Sequence, residues 1–218
     1  MAQETPDRTH TGWRQRGYLP HYDAPWEVQH IVFRLADSLP VGILSRLEAA
    51  PPEDRWAAAE DILDRGAGSR ALADPRLARM VMHSLLYFDG QRYDLIAWCV
   101  MPTHVHVLIQ QRQGWPLAGV VQGWKTFTAR SANRILGREG RFWSPDYFDR
   151  ATKSEAQTER ASVYIENNPV AAGLCTKPAD WPWSSAAFRK ADGLVRPRCG
   201  WKETQERTRT SALRGTQL

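Results

Sequence analysis

Two apolar runs lie almost back to back near the middle of the chain: RYDLIAWCV at 92–100 and THVHVLI at 103–109, with only Met101-Pro102 between them. Both are strand-length and rich in Val, Ile, Leu and aromatic residues. Two such runs joined by two residues should pair as an antiparallel hairpin. The remaining segments arrange around it. QHIVFRL at 29–35 reads as a first strand, and 42–63 has Leu, Ala, Glu and Trp at helical spacing until RGAGS breaks it. Asp74-Pro75 supplies an N-cap and a first-turn proline for a helix that runs through LARMVMHSLLYF and stops near Asp89-Gly90. A long helix is expected at 118–136, with Val120, Val121, Trp124, Phe127 and Ile135 facing inward and Lys125, Arg130 and Arg134 off that stripe. RFWSPDYFDR at 141–150 reads as a short, interrupted strand, and 154–168 as a helix that Pro169 ends. Residues 1–27 read as an irregular arm, and 170–188 as loops packing through their tryptophans. The order predicts an α+β fold: one antiparallel sheet with helices on one face, in a ferredoxin-like (RRM-like) arrangement.

Composition narrows the function classes. At 42% apolar residues, with 10 Trp, the chain can bury a core and is not of the disordered class. No run reaches the roughly 18 apolar residues of a membrane span, and the polar N-terminal stretch lacks a signal-peptide core, so no membrane partner and a cytoplasmic location are expected. Cys99, Cys175 and Cys199 form no disulfide framework. The first 188 residues carry 21 basic and 21 acidic side chains, so the net +5 resides in 189–218, expected to be a basic disordered tail. Of the 29 basic residues 24 are Arg, whose planar fork suits phosphates and base stacking. That composition permits a nucleic-acid partner without demanding one.

The chemistry sits on the hairpin. In VMPTHVHVLI, strand alternation puts His104 and His106 on one face and Val105, Val107 and Ile109 on the other. If the valines face the helices, the two imidazoles share the face left to a ligand and can converge on one cation. An isolated His-x-His is a weak pattern, equally met by two satisfied histidines. The second element, SVYIENNPV, places Tyr164 and Asn168 four residues apart, hence on one helical face. Joined to the histidines, Asn168 supplies a third, neutral oxygen ligand for Mg²⁺ or Mn²⁺, and Tyr164 a nucleophile beside a phosphate polarised by that cation.

VMPTHVHVLI, WKTFTARSANRILGREGRFWSPDYFDR, YIENNPVAAGL and DWPWSSAAF, in that order, resemble the REP-associated tyrosine transposases, single-tyrosine members of the HUH endonuclease superfamily. RGYLPH and FRLADSLP are also similar to that family. The resemblance implies a catalytic domain at 29–188 between an arm (1–28) and the tail (189–218). It implies His104-Val105-His106 as the HUH motif, Tyr164 as nucleophile and Asn168 as third metal ligand. It also implies metal-dependent nicking and joining of single-stranded or hairpin DNA from repeated extragenic palindromes through a 5′-phosphotyrosine, by a monomer or homodimer. One departure is visible: DAPWEVQHIVF stands where many relatives carry a Gly-Thr-Ser type motif before the first strand.

Lys125, Arg130, Arg134 and Arg150 are expected to hold the DNA backbone as it crosses the open sheet face towards the histidines. The main alternative is a non-catalytic, RRM-like module binding single-stranded nucleic acid, with Tyr93 and Trp98 as stacking platforms. A water-using metal hydrolase lacks the expected His/Glu motifs, and a zinc site from Cys99, His104 and His106 lacks a partner motif. Only the transposase-like reading needs the Tyr164 hydroxyl.

Overall fold

The computed structural model describes residues 12–15, 20–39, 42–43, 58 and 68–192. Most of the helix expected at 42–63, apart from residues 42–43 and 58, and all but the first residues of the tail lie outside the described residues. The central sheet has four strands: β3 (Val28–Arg34), β4 (Tyr93–Val100), β5 (His104–Gln111) and β6 (Phe148–Ala151). They lie in the order β4-β5-β3-β6 with every neighbouring pair antiparallel. With α1 (Pro75–Leu86) between β3 and β4 and α2 (Leu117–Leu136) between β5 and β6, the chain follows the ferredoxin-like β-α-β-β-α-β path. The β4–β5 hairpin is closed by Met101 N–H donating to the His104 carbonyl at 2.9 Å.

Local chemistry explains most element boundaries. Asp74 caps α1, its carboxylate accepting from Arg76 N–H at 2.9 Å, with Pro75 in the first turn. Gly137 ends α2 in the left-handed conformation. α3 (Glu155–Ala171) begins at Ser154, whose hydroxyl accepts from Gln157 N–H, while Gln157 reaches back to Lys153 N–H. The expected stop at Pro169 is corrected: α3 runs on to Ala171. Proline forfeits only the bond its missing N–H would make one turn back. Ala172 N–H to Asn168 O and Leu174 N–H to Pro169 O close the turn beyond it.

α1 and α2 cover one sheet face. Ile31, Phe33, Val105, Val107 and Ile109 meet Leu77, Val81, Leu85, Val120, Val121 and Trp124 there. Phe33, Trp124 and Trp143 form an aromatic stack at its centre. The other face carries α3, anchored by fully buried Ile165 against Val28, Ala97, Cys99, Met101 and Leu108. The face expected to lie open thus receives a helix of its own.

Three local expectations are revised. Within the arm expected to be irregular, β1 (Gly12–Gln15) and β2 (Pro20–Asp23) pair antiparallel. The pair carries no hydrophobic alternation and is held by a tertiary clamp, in which His21 bonds Asp146 and Asp149 and stacks on Tyr147 at 4.2 Å. The loops expected at 170–188 hold for 172–184 apart from one 3-10 turn, with Trp181 and Trp183 packed on the core. From Ser185 they give way to α4 (Ser185–Asp192), tied down by Ser185, whose hydroxyl donates to Glu166 on α3. On α2 the inward stripe takes Lys125 and Thr128, whereas Phe127, at 56% exposure, and Ile135 are exposed. Among the described residues, no helix is long and apolar enough to cross a membrane.

Candidate active site on the sheet face beneath α3

β5 delivers the two histidines, and its neighbours complete the face. In antiparallel pairing, opposed residues share a face. Arg34 lies opposite His104, Val32 opposite His106, and His30 opposite both Leu108 and Arg150. His30, Arg34, His104 and His106 therefore project from the same side, beneath α3. His104 and His106 are essentially fully buried.

The imidazoles are held in a chain. Thr103 Oγ1 lies 2.8 Å from His104 Nδ1, and His30 Nε2 lies 3.1 Å from His106 Nδ1. With both Nδ1 atoms engaged, the two Nε2 atoms face each other at 2.8 Å. Two lone pairs at that distance repel unless a proton or a cation sits between them. Burial pushes the His30 imidazolium down to about 3, and the Arg150 charge adds to it. Burial, then the neighbouring histidines, hold His106 well below the usual histidine range. Both are therefore neutral at physiological pH, the form in which imidazole serves as a ligand.

α3 brings the remaining groups. Tyr164 is 38% exposed, and its ring stands edge-on to His106 with centroids 5.9 Å apart and an interplanar angle of 85°. One turn on, Asn168 is 2% exposed, and neither its Oδ1 nor its Nδ2 has a hydrogen-bond partner. Leaving a buried amide unpaired costs about 1–3 kcal/mol, so its retention points to a partner outside the fold. Two facing nitrogens and a buried carboxamide could serve as ligands for a cation, with a partly exposed phenol on the same helix as the carboxamide.

The basic residues divide. Arg150 is exposed beside His30 on the histidine face. Lys125 is buried: its ammonium donates to the Pro145 carbonyl at 2.7 Å, and burial pushes its pKa down to about 8. The expectation that it grips DNA from the surface is corrected, because the α2 stripe turns it inward. Arg130 and Arg134 are exposed, but α2 lies on the far side of the sheet. A strand crossing towards the histidines would not meet them. Tyr93 and Trp98 are core residues, Tyr93 donating to Leu85 O and accepting from Trp124 Nε1, so neither is a stacking platform. Cys99 lies opposite His106, with its thiol 3.6 Å from Met101 Sδ.

Sequence reasoning missed His30 and Arg34. The signal was present in QHIVFRL, where two polar residues recur at even spacing in an apolar strand, the same pattern that drew attention to His104 and His106. Arg34 is 5% exposed, and among the described residues its guanidinium makes one hydrogen bond, to the adjacent Leu35 carbonyl at 3.3 Å.

No curated protein matches the sequence. The chain is similar in fold to a REP-associated tyrosine transposase solved bound to a REP hairpin, with a TM-score of 0.55 at 18% identity, over 82% of this chain and 87% of that one. A crystal structure described as a transposase from Deinococcus radiodurans R1 aligns with a TM-score of 0.39 at 20% identity, over 71% of this chain and 96% of that one. The family of IS200-like transposases matches residues 79–168. That segment carries both β5 histidines, Tyr164 and Asn168, so the similarity to IS200-like transposases falls on the candidate site itself.

Proposed function

We propose that the protein nicks and rejoins single-stranded DNA through a covalent bond to Tyr164, with a divalent cation held by His104, His106 and Asn168. The observation that carries the reading is the unpartnered, buried Asn168 amide one turn from Tyr164, whose ring stands against His106, together with two histidine Nε2 atoms 2.8 Å apart. Those donors fit a hard or borderline cation. Two imidazole nitrogens with a neutral carboxamide oxygen would suit Mg²⁺ or Mn²⁺ with positions left open for a phosphate. Such an ion polarises a non-bridging phosphate oxygen.

The protein's own groups do the rest. Thr103 and His30 fix the tautomers that leave both Nε2 lone pairs available. Arg150, exposed on the same face, holds the phosphodiester backbone. The Tyr164 oxygen bonds to phosphorus as the bond from phosphorus to the 3′ oxygen breaks. The tyrosine proton leaves, and the departing 3′ oxygen takes one up. The 5′ end stays on the enzyme as a phosphotyrosine. Phenol is a fair leaving group, with a pKa near 10, so a 3′-OH can reverse the step without external energy. The REP hairpin on the relative of similar fold supports hairpin DNA as substrate; on this reading the hairpins are those of repeated extragenic palindromes and the acting form is a cytoplasmic monomer or homodimer.

The test is incubation with end-labelled single-stranded hairpin DNA and Mn²⁺, followed by a denaturing gel. Wild type yields a covalent adduct; Tyr164→Phe yields none while still binding DNA, and EDTA suppresses the adduct. An adduct formed by Tyr164→Phe refutes the assignment of the nucleophile.

A further inference from the structure

A groove of about 610 Å³ runs along the outer face of α2, on the opposite side of the sheet from the histidines. Arg92, Arg130 and Arg134 line it, and among the described residues no carboxylate does. The whole of α2 contains no Asp or Glu, so none of its arginines has an acidic partner one turn away, as an ordinary solvated helix would supply. Arg92 is set in place, its guanidinium 3.5 Å from the Phe88 ring centroid and 4.1 Å from that of Trp115.

Two features are unexplained by packing. Gly119 and Gly123 sit inside the helix, where each costs up to about 1 kcal/mol relative to Ala, yet a Cβ on either would meet nothing within 4 Å. They leave room above the helix that the fold itself does not need. Phe127, one turn beyond Gly123, presents its ring to that room at 56% exposure. Cations that track a backbone, beside an aromatic ring on which a base can lie, form the combination that binds single-stranded nucleic acid. Arg92 can add stacking of its own.

We propose that this groove is a second DNA site, in which a single-stranded stretch of the substrate stacks a base on Phe127 while Arg130 and Arg134 hold its phosphates, remote from the cleavage chemistry. Duplex DNA offers no free base to Phe127 and is the weaker occupant. The site rests on the reading of the protein as one that acts on DNA.

The experiment compares full-length wild type, Phe127→Ala, Phe127→Tyr and the Arg130→Ala/Arg134→Ala double variant by fluorescence anisotropy. The probes are a labelled oligothymidine and a fully paired hairpin without single-stranded flanks, each at three salt concentrations. Phe127→Ala should weaken oligothymidine binding roughly 5- to 100-fold, and Phe127→Tyr should restore it. The double variant should lower the magnitude of the salt slope by about 1.4, two phosphate contacts' worth. Paired-hairpin affinity of Phe127→Ala, and its adduct formation on a short strand, should be unchanged. Unaltered oligothymidine affinity in Phe127→Ala overturns the proposal. So does an equal loss on the paired hairpin, which would make the groove a duplex site, or a change in sedimentation, which would make it a contact between copies. Absence of adduct in wild type, with the anisotropy differences intact, would count against the Tyr164 chemistry and leave the groove standing.

Discussion

Replacing Asn168 with alanine should make the metal-free protein more stable, the opposite of what truncating a 2%-exposed residue usually does. The amide is buried with both polar atoms unpaired. Mutational data put the cost of such a group at about 1–3 kcal/mol. Truncation removes little apolar surface, since the side chain beyond Cβ is all carboxamide. Alanine also improves helix propensity at this site, by up to about 0.7 kcal/mol. The balance is a gain of about 1–3 kcal/mol, or roughly 2–10 °C in Tm for a chain of this size. With Mn²⁺ the order should reverse. Wild type gains about 2.7 kcal/mol at a hundredfold excess of ion over Kd, whereas the variant has lost one of three ligands and gains less. Thermal melts in EDTA and across a Mn²⁺ series read both halves. A variant less stable than wild type in EDTA would show that the fold already satisfies the amide. Equal Mn²⁺ gains in the two proteins would remove Asn168 from the ligand set.

Other consequences follow from the same geometry. His30→Ala frees His106 Nδ1 and should raise the Mn²⁺ concentration needed for adduct formation by roughly 10- to 100-fold; an unchanged Mn²⁺ requirement would sink the idea that His30 sets the tautomer. His21 responds to pH: burial opposes its charge, but hydrogen bonds and charge from Asp146 and Asp149 outweigh that and raise its pKa to about 9. A raised pKa contributes stability that is whole below the unfolded value near 6.5 and is lost as pH climbs through about 9. Urea unfolding should therefore show up to about 3 kcal/mol draining away across that window, and His21→Gln should flatten the profile. Residues 193–218 hold six Lys or Arg against two Glu. Their deletion should weaken binding of any DNA at low salt and flatten the salt dependence without moving the cleavage site; a shifted site would show that the tail reads sequence.

The elements legible in the sequence were those with a strong local signal: the β4–β5 hairpin, the capped start of α1 and the length of α2. Tyr164 and Asn168 could be paired by helical spacing alone, and His104 with His106 by strand alternation. What could not be read was which outside surface each element would meet. β1 and β2 exist because His21 finds two carboxylates more than a hundred residues away. Lys125 and Phe127 exchanged their expected places because the α2 stripe is set by where Trp124 and Thr128 dock, Thr128 accepting from the Trp143 indole at 2.8 Å. Pro169 forfeits its own bond to the preceding turn without ending the helix, because Ala172 N–H to Asn168 O and Leu174 N–H to Pro169 O carry the turn on beyond it.

The two faces of the sheet divide the work. The α1–α2 face is apolar, closely stacked and self-sufficient, and it accounts for the stability of the domain. The α3 face buries three imidazoles, a guanidinium with one 3.3 Å hydrogen bond among the described residues and an unpartnered carboxamide. Each of these costs free energy that an aliphatic residue would not. A fold selected only for stability would repack that face with leucine and valine, as it did the other. The polar groups are not scattered: they come from β3, β5 and α3, three elements far apart in sequence, and they meet at one place. Ile165, fully buried beside Tyr164, is what lets them meet, since it seats α3 on the sheet without using any of the polar groups. The instability is therefore concentrated where an anionic strand and a cation would relieve it, which separates a site built for a ligand from a poorly packed surface.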